Sequence, residues 1–558
     1  MKEEKTDLTR RRFIMGLGLA SAGVAASSIV GCSNDASANV DGPGGSKNGS
    51  SENGSEISWD SETDILIVGS GYAGLCAAIE AAQAGSKVIV LEKNTVPGGN
   101  SILCAGNAQF GGGNFVQEAA GIEDTPQRFY DDIYTYGSHR AVPELLQIFV
   151  DKSTECVDWL VDDLGLVFNE KVTQNEGHTV PCSLMPDASD AYPGSGGISY
   201  WYVMYEKALS LGVEILLEHK VEKILQDSEG AVIGLEVEAD GATKNFKSSQ
   251  AVILGSGGWK SNEAMRLSQD PRLDKDLSAG GLPYVETTGE MINEAVNIGA
   301  GTRDMSFVCE FRFKWGTTYY QAWDPVDIEN PPMTGTGVRI NAFENVVLVQ
   351  KDGTRFVNEN AASEYPQGPF YEAFLNQESP RSVWAIVDSQ GAAELKWDVA
   401  ALADPSDKKA PYLIPDYVAI ADTIEDIASK INVPADTLSA EISAYNSSVA
   451  SGTDEAFGKT GMTAPLEQGP FYAVKMQFFA HDQMGGLIAN SKTQVCKRSE
   501  SFGPEPIALD QQAVIPRLYA AGEAVGGYVG EDRGHGKISI YMVFGRIAGQ
   551  EAAKESRI

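Results

Sequence analysis

The chain reads as an α/β protein, a doubly wound parallel sheet carrying a long α+β insertion, and three observations support that reading. Residues 63–94, TDILIVGSGYAGLCAAIEAAQAGSKVIVLEKN, give an apolar strand, a glycine turn, a helix and a second apolar strand in succession. Residues 517–549, RLYAAGEAVGGYVGEDRGHGKISIYMVFGRIAG, return to that grammar: an apolar strand runs into Gly522 and Glu523, and a helix follows near 537–550. Between them the alternation of strand and helix fades, and from about residue 271 prolines and aromatics interrupt it. Alternating strands and helices call for a parallel sheet, and the irregular stretch reads as a second unit inserted into the first.

The elements follow in order. Strand-like runs at Asp64–Gly69 and Lys87–Leu91 flank the first helix, and the turn between carries Gly69, Gly71 and Gly74 in G-x-G-x-x-G spacing. Gly69 permits the tight turn, Gly71 lets backbone approach a pyrophosphate, and Gly74 lets helix and strand pack closely. The helix N-terminus then favours the negative charge of a dinucleotide. Glu92 lies 23 positions past Gly69, at the end of the second strand, where an acid contacts a ribose. Further strands near Val213–Leu217, Ala231–Val237 and Gln250–Leu254 lead into GSGGWKSN, which brings the chain back to the cofactor. No internal repeat is evident.

With Gly98-Gly99-Asn100-Ser101 and Gly255-Ser256-Gly257-Gly258-Trp259, the N-terminal turn and the C-terminal return resemble the fumarate reductase and succinate dehydrogenase flavoprotein family. That family includes urocanate reductases and ketosteroid dehydrogenases, and the resemblance covers roughly residues 60–555. It implies a Rossmann-like FAD-binding domain with an inserted α+β substrate-capping domain. The expected boundaries are 61–270 for the first part of the FAD domain, 271–478 for the cap and 479–558 for the second part. It implies FAD held by Gly69, Gly71, Tyr72, Ala73, Gly74, Glu92, Lys93, Gly99, Asn100, Ser101, Gly106, Val221, Gly257, Glu523, Ile538 and Ser539. Glu523 is expected to bond the ribityl chain, with Asn100 and Ser101 beside the isoalloxazine. Members with covalent FAD carry a histidine in this region; GGNSILCAGN has none, so non-covalent FAD is expected.

In fumarate reductases of the family, an arginine a few residues past an R-F-x-N-E motif delivers the proton. The motif stands here as Arg355-Phe356-Val357-Asn358-Glu359, and the arginine slot falls on Ser363. The family's T-E-A-V-R relay is similar to Thr334–Arg339, with Thr336 where glutamate belongs, and the histidine of its H-P-T motif falls on Phe311. These changes remove partners that offset the desolvation of two carboxylates, so fumarate is not the expected substrate. Arg533 matches the arginine of the family's G-x-N-R-L-G-G; it either grips a substrate carboxylate or carbonyl, or pairs with Asp532 or Glu531 at the surface. His481, in HDQMGG, is similar to the histidine of H-T-M-G-G one residue out of register, and reads either as a site residue or as a loop cap. Tyr365 is the nearest proton donor to the altered slot, since ketosteroid dehydrogenases of the family use a tyrosine just after the N-E motif; the alternative is a packing tyrosine. Tyr541 and Arg339 complete the catalytic candidates. Phe311, Phe313, Trp315, Tyr319, Tyr320 and Trp323 point either to a larger, flatter substrate or to ordinary cap packing.

Residues 1–32 carry arginines at 10–12, then a weakly apolar run of small residues ending at Cys32, the pattern of a twin-arginine export signal closed by a lipoprotein cleavage box. Residues 33–60 are rich in Ser, Gly and Asn and read as a flexible tether. A net charge of −34 argues against nucleic acid and against holding an anionic membrane by charge, so attachment is expected through a lipid on Cys32, with a freely released protein as the alternative. The acidic surface suits a basic electron-donor protein or serves solubility. Seven cysteines without any C-x-x-C leave c-type haem and zinc unsupported and no metal expected; a widely spaced iron–sulfur site and simple packing are the two readings of them.

The expected function is an exported FAD reductase of an activated C=C bond, on the outer face of the membrane or in the periplasm. Flavin N5 would pass hydride to the β-carbon of an enone or enoate, and a side chain would protonate the α-carbon. Electrons would come from a cytochrome or membrane flavoprotein, as in anaerobic respiration. The alternatives are a ketosteroid-type dehydrogenase running oxidatively and, from another class, a binding lipoprotein that kept the fold without catalysis.

Overall fold

The computed structural model describes residues 57–104, 106–175, 177–187, 196–279, 287–306, 308–314, 319–320, 333–334, 342–362, 368–397, 399, 418–498, 508–530 and 537–558. The export signal, Cys32 and nearly all of the tether lie outside the described residues, as do Arg339, Ser363, Tyr365 and Arg533.

The strand β1 (Ser61–Val68) is wholly buried from Ile65 onward, which is why it reads as a continuous apolar run. A glycine turn leads into α1 (Tyr72–Gln83), and β2 (Val88–Leu91) pairs parallel to β1 with Ile65 opposite Val88. After α2 (Asn100–Leu103), α3 (Pro143–Asp162) and α4 (Gly197–Ser210), β3 (Glu214–Leu216) adds to β2. The next segment is an antiparallel excursion of β4 (Lys220–Gln226), β5 (Val232–Ala239) and β6 (Ala242–Leu254). The C-terminal half of β6 then runs parallel to β1 on its other side, Leu66 opposite Val252. The sequence placed this strand at 250–254; it begins at Ala242 because a mostly polar, partly buried stretch pairs with β5 without needing an apolar pattern.

A second sheet collects β7 (Val308–Lys314), β8 (Val347–Gln350), β9 (Val383–Val387) and β10 (Val418–Ala421), followed by helices α5 (Ile424–Ile431) and α6 (Ala435–Ser451) and the long β11 (Phe471–Gln483). β11 organises it: Val474 faces Ala385 of β9 and Val418 of β10, and Phe479 faces Arg312 of β7, all antiparallel. β11 runs across the boundary expected at 478. A separate apolar cluster, including Ile427, Leu438 and Tyr445, packs the two helices onto this sheet.

The chain then returns to the first sheet through β12 (Gln494–Cys496) and β13 (Val514–Ala520) and ends in α7 (Lys537–Ala552). The eight-stranded order among the described residues is β12–β13–β6–β1–β2–β3, with β5 on β6 and β4 on β5. Chain order reverses between β1 and β6, the topological switch at which an open α/β sheet holds its ligand. α7 lies on α1 at backbone contact: a Cβ on Gly545 would sit 2.6 Å from the Ala73 carbonyl oxygen, and one on Gly549 2.3 Å from that of Ala77. Arg546 locks the pair through Glu80 at 2.5 Å and covers the Trp159 ring at 4.7 Å.

Candidate cofactor site

At the switch point an open cleft of about 940 Å³ of empty space, its mouth included, runs over the carboxyl ends of β1, β2 and β6. The turn after β1 forms its floor. Gly69 adopts a φ of +94°, and a Cβ there would meet the Gly255 carbonyl oxygen at 2.5 Å, so only glycine fits. Gly74 does not touch the cleft; its missing Cβ makes room for the Gly69 carbonyl oxygen, 2.0 Å from where that atom would stand. Gly71 caps α1 without a side-chain bond, leaving the helix N-terminus facing the cleft as a place for an anion.

Glu92 lines the cleft and is 5% exposed. One oxygen accepts from Ser70 N at 3.1 Å and Ser70 Oγ at 2.6 Å; the other accepts from Asn94 N at 3.1 Å and Nδ2 at 2.9 Å. Ser70 Oγ in turn accepts from Gly98 N at 2.8 Å, and its carbonyl accepts from Trp201 Nε1 at 2.9 Å. The carboxylate therefore braces the glycine turn against the 98–101 loop, and the expected ribose contact would share oxygens that already accept four bonds. Lys93 extends across the opening to Glu290 at 2.8 Å and Thr288 at 3.2 Å. Burial favours the acid form of Glu290, but the Lys93 ammonium and the Thr288 hydroxyl outweigh it and hold the carboxyl below its usual range.

Two buried acceptors on the cleft wall, Asn100 Oδ1 and Glu523 Oε1, have no hydrogen-bond partner among the described residues. Lys260 Nζ lies 3.9 Å from Glu523 Oε1. Buried acceptors without donors are costly unless a ligand supplies them. A ring N–H and ribityl hydroxyls are such donors, and a diphosphate suits the helix N-terminus, so these residues fit FAD.

Of the sequence-derived cofactor residues, Gly69, Gly71, Tyr72, Ala73, Glu92, Lys93, Gly99, Asn100, Ser101, Val221, Gly257 and Glu523 come together on this cleft. Gly74, Gly106, Ile538 and Ser539 do not line it. Gly106 allows close packing, since its Cβ would meet Gly197 N at 2.6 Å; Ser539 is fully buried and bonds the Gln109 carbonyl; Ile538 packs on the core. Tyr72 reaches the cleft edge, but its phenol points inward to the Ser101 and Gly197 carbonyls, both at 2.8 Å, and burial raises it well above its usual range. Tyr541 lines the far end of the cleft, and His481 lies on β11.

Sequence reasoning did not find His219, Thr287, Glu290 and Met291 on the wall, nor Gln483, whose side chain accepts from Lys260 N at 3.0 Å and lies against the Glu523 carbonyl. These reach the cleft from loops or element ends, with no local spacing to mark them.

A family model described as FAD binding domain matches residues 64–538. The chain belongs to that flavoprotein family. FAD is its cofactor, and it is an oxidoreductase. The flavoprotein is 30% identical over 504 residues to the urocanate reductase of Eggerthella lenta, covering 88% of this chain and 75% of the relative. It superposes on the open conformation of a flavocytochrome c3 fumarate reductase with a TM-score of 0.72 at 28% identity, over 89% of this chain and 79% of the other. A 3-ketosteroid-Δ4-(5α)-dehydrogenase from Rhodococcus jostii RHA1 shares the fold, with a TM-score of 0.61 at 24% identity, over 90% of this chain and 98% of the other.

Proposed function

We propose that this flavoprotein reduces an activated C=C bond, that of an enoate or an enone, with electrons from an external donor. The observation that carries the reading is the FAD cleft in a chain 30% identical to a urocanate reductase and 28% identical to a flavocytochrome fumarate reductase. FAD bound in the cleft supplies a hydride at flavin N5. The chain's own residues bind the substrate's activating oxygen, exclude water and bring a proton to the α-carbon. Arg533 is the proposed grip on that oxygen, Tyr365 the proposed proton donor, with Arg339, Ser363, His481 and Tyr541 as the other groups able to hold or move the proton. The 271–478 segment acts as a substrate cap. Ser363, Thr336 and Phe311 stand where the resembling reductases have arginine, glutamate and histidine, which supports a substrate other than fumarate.

The arginines at 10–12 and Cys32 support export and lipid anchoring outside the cytoplasm, and a net charge of −34 suits a basic donor protein such as a cytochrome. The test is anaerobic reoxidation of a reduced viologen dye by the purified holoprotein with fumarate, urocanate, cinnamates and ketosteroid enones. Turnover of an enoate or enone but not fumarate is expected. Silence across that panel, together with dye-coupled oxidation of a saturated ketosteroid, would overturn the reading in favour of the dehydrogenase direction.

A further inference from the structure

Beside the cofactor cleft, the return segment buries a hydroxyl that has no partner among the described residues. Tyr528 is 6% exposed, and its ring stacks on Phe544 of α7 with centroids 4.4 Å apart. Its phenolic oxygen has no hydrogen-bond partner among the described residues. The side chain lines a small recess, 240 Å³ of empty space including its mouth, together with Gln483, Lys537 and Tyr541. Tyr541 also lines the cofactor cleft, and Gln483 lies against Glu523, so recess and cleft share a wall. A buried polar group left without a partner costs stability, and its retention asks for a ligand that completes it. Burial pushes the phenol well above its usual range, so it remains a donor and does not act as a base.

We propose that Tyr528 donates a hydrogen bond to the oxygen that activates the substrate's double bond, an enoate carboxylate or an enone carbonyl. This rests on the reading of the protein as a C=C reductase and names a second group, beside Arg533, that recognises its substrate. When hydride adds to the β-carbon, the π electron pair moves toward the α-carbon and that oxygen. A donor already in place holds the oxygen more tightly as charge develops. The Tyr528 proton stays on its own oxygen; the proton for the α-carbon comes from another side chain.

The test compares the full holoenzyme with Tyr528→Phe, which keeps the ring on Phe544. Two saturated probe series, 3-phenylpropanoate with acetate and 4-phenyl-2-butanone with acetone, are titrated against the flavin absorbance. The series that matches the natural oxygen is expected to bind roughly tenfold or more weakly to the variant, because a hydrogen bond is lost. The melting temperature of the unliganded variant is expected to be equal or higher, because no bond to a described residue is lost. Equal binding to both forms, no binding of either series, or a lower melting temperature would overturn the assignment. Tyr528-dependent binding without any turnover of unsaturated acceptors would sink the reductase reading alone. Turnover that is indifferent to Tyr528→Phe would sink the tyrosine's role alone.

Discussion

Arg355 and Glu359 meet fork to fork, Nε and Nη2 each donating to one carboxylate oxygen at 2.8 Å. Nη2 also reaches Asp454 at 2.8 Å, and Lys459 Nζ lies 3.4 Å from Glu359, with all four residues sealed from solvent. The R-F-x-N-E motif is therefore a buried ionic joint between the turn at Glu359–Ala362 and the 454–459 loop. It sits immediately before the segment that carries Ser363 and Tyr365.

Breaking one side of that joint leaves the other charge buried. Glu359→Gln is expected to lower unfolding free energy by about 3–5 kcal/mol in chemical denaturation. Arg355→Lys is expected to fail as a conservative change, because an ammonium cannot present two parallel donors. Wild-type stability in both variants would mean the joint holds nothing.

Gly74→Ala places a methyl carbon against the Gly69 carbonyl oxygen. The expected cost is about 1–3 kcal/mol from overpacking. The loss should concentrate on the glycine turn, so the variant is expected to purify with little flavin, read as the ratio of flavin to protein absorbance. Full flavin content would mean that the turn relaxes without harm to the cleft.

Glu523→Gln keeps the shape of the side chain and removes the charge from its unpartnered oxygen. FAD is expected to bind about ten- to a hundredfold more weakly, the worth of a charged acceptor at about 1.5–3 kcal/mol. Dialysis followed by measurement of retained flavin checks it, and unchanged retention would take Glu523 out of the cofactor's contacts.

His178 gives a pH dependence with a definite sign. Burial against Phe129, 5.6 Å between ring centroids, lowers its pKa from 6.5 to about 4, although Asp132 and Asp124 pull the other way. Because the folded value is the lower one, the neutral ring's contribution is complete above the unfolded pKa and is lost as pH falls from 6.5 toward 4. The wild type is expected to lose up to about 3 kcal/mol across that window relative to His178→Gln. Denaturation curves of both proteins at several pH values check it; parallel pH profiles would remove His178 as the cause.

The cofactor-binding half of this fold was legible because it is written in local grammar. β1, the glycine turn, α1 and β2 form one contiguous unit whose spacing is dictated by the ligand, and the buried half of β6 is a plain apolar run. The first half of β6 and its pairing with β5 were missed because that ladder tolerates Thr243, Lys244 and Asn245 without any alternation. In the site, Glu92 and Glu523 were readable as acids ending apolar strands. His219, Thr287 and Gln483 were not, since each reaches the cleft through tertiary placement alone.

The seating of α7 on α1 has a consequence for how the protein is made. In the glycine turn and the helix that clamps it, Ala73 and Gly545 lie 472 positions apart. A ribosome adding roughly 5–20 residues per second takes about half a minute or longer to cover that stretch. Until then the nascent chain exposes the small-residue face of α1 without the helix that covers it, and Glu523 is added only 22 positions before Gly545. Cofactor loading is therefore a late event in biogenesis, and a translation product halted before α7 carries the dinucleotide motif without a place to keep the dinucleotide.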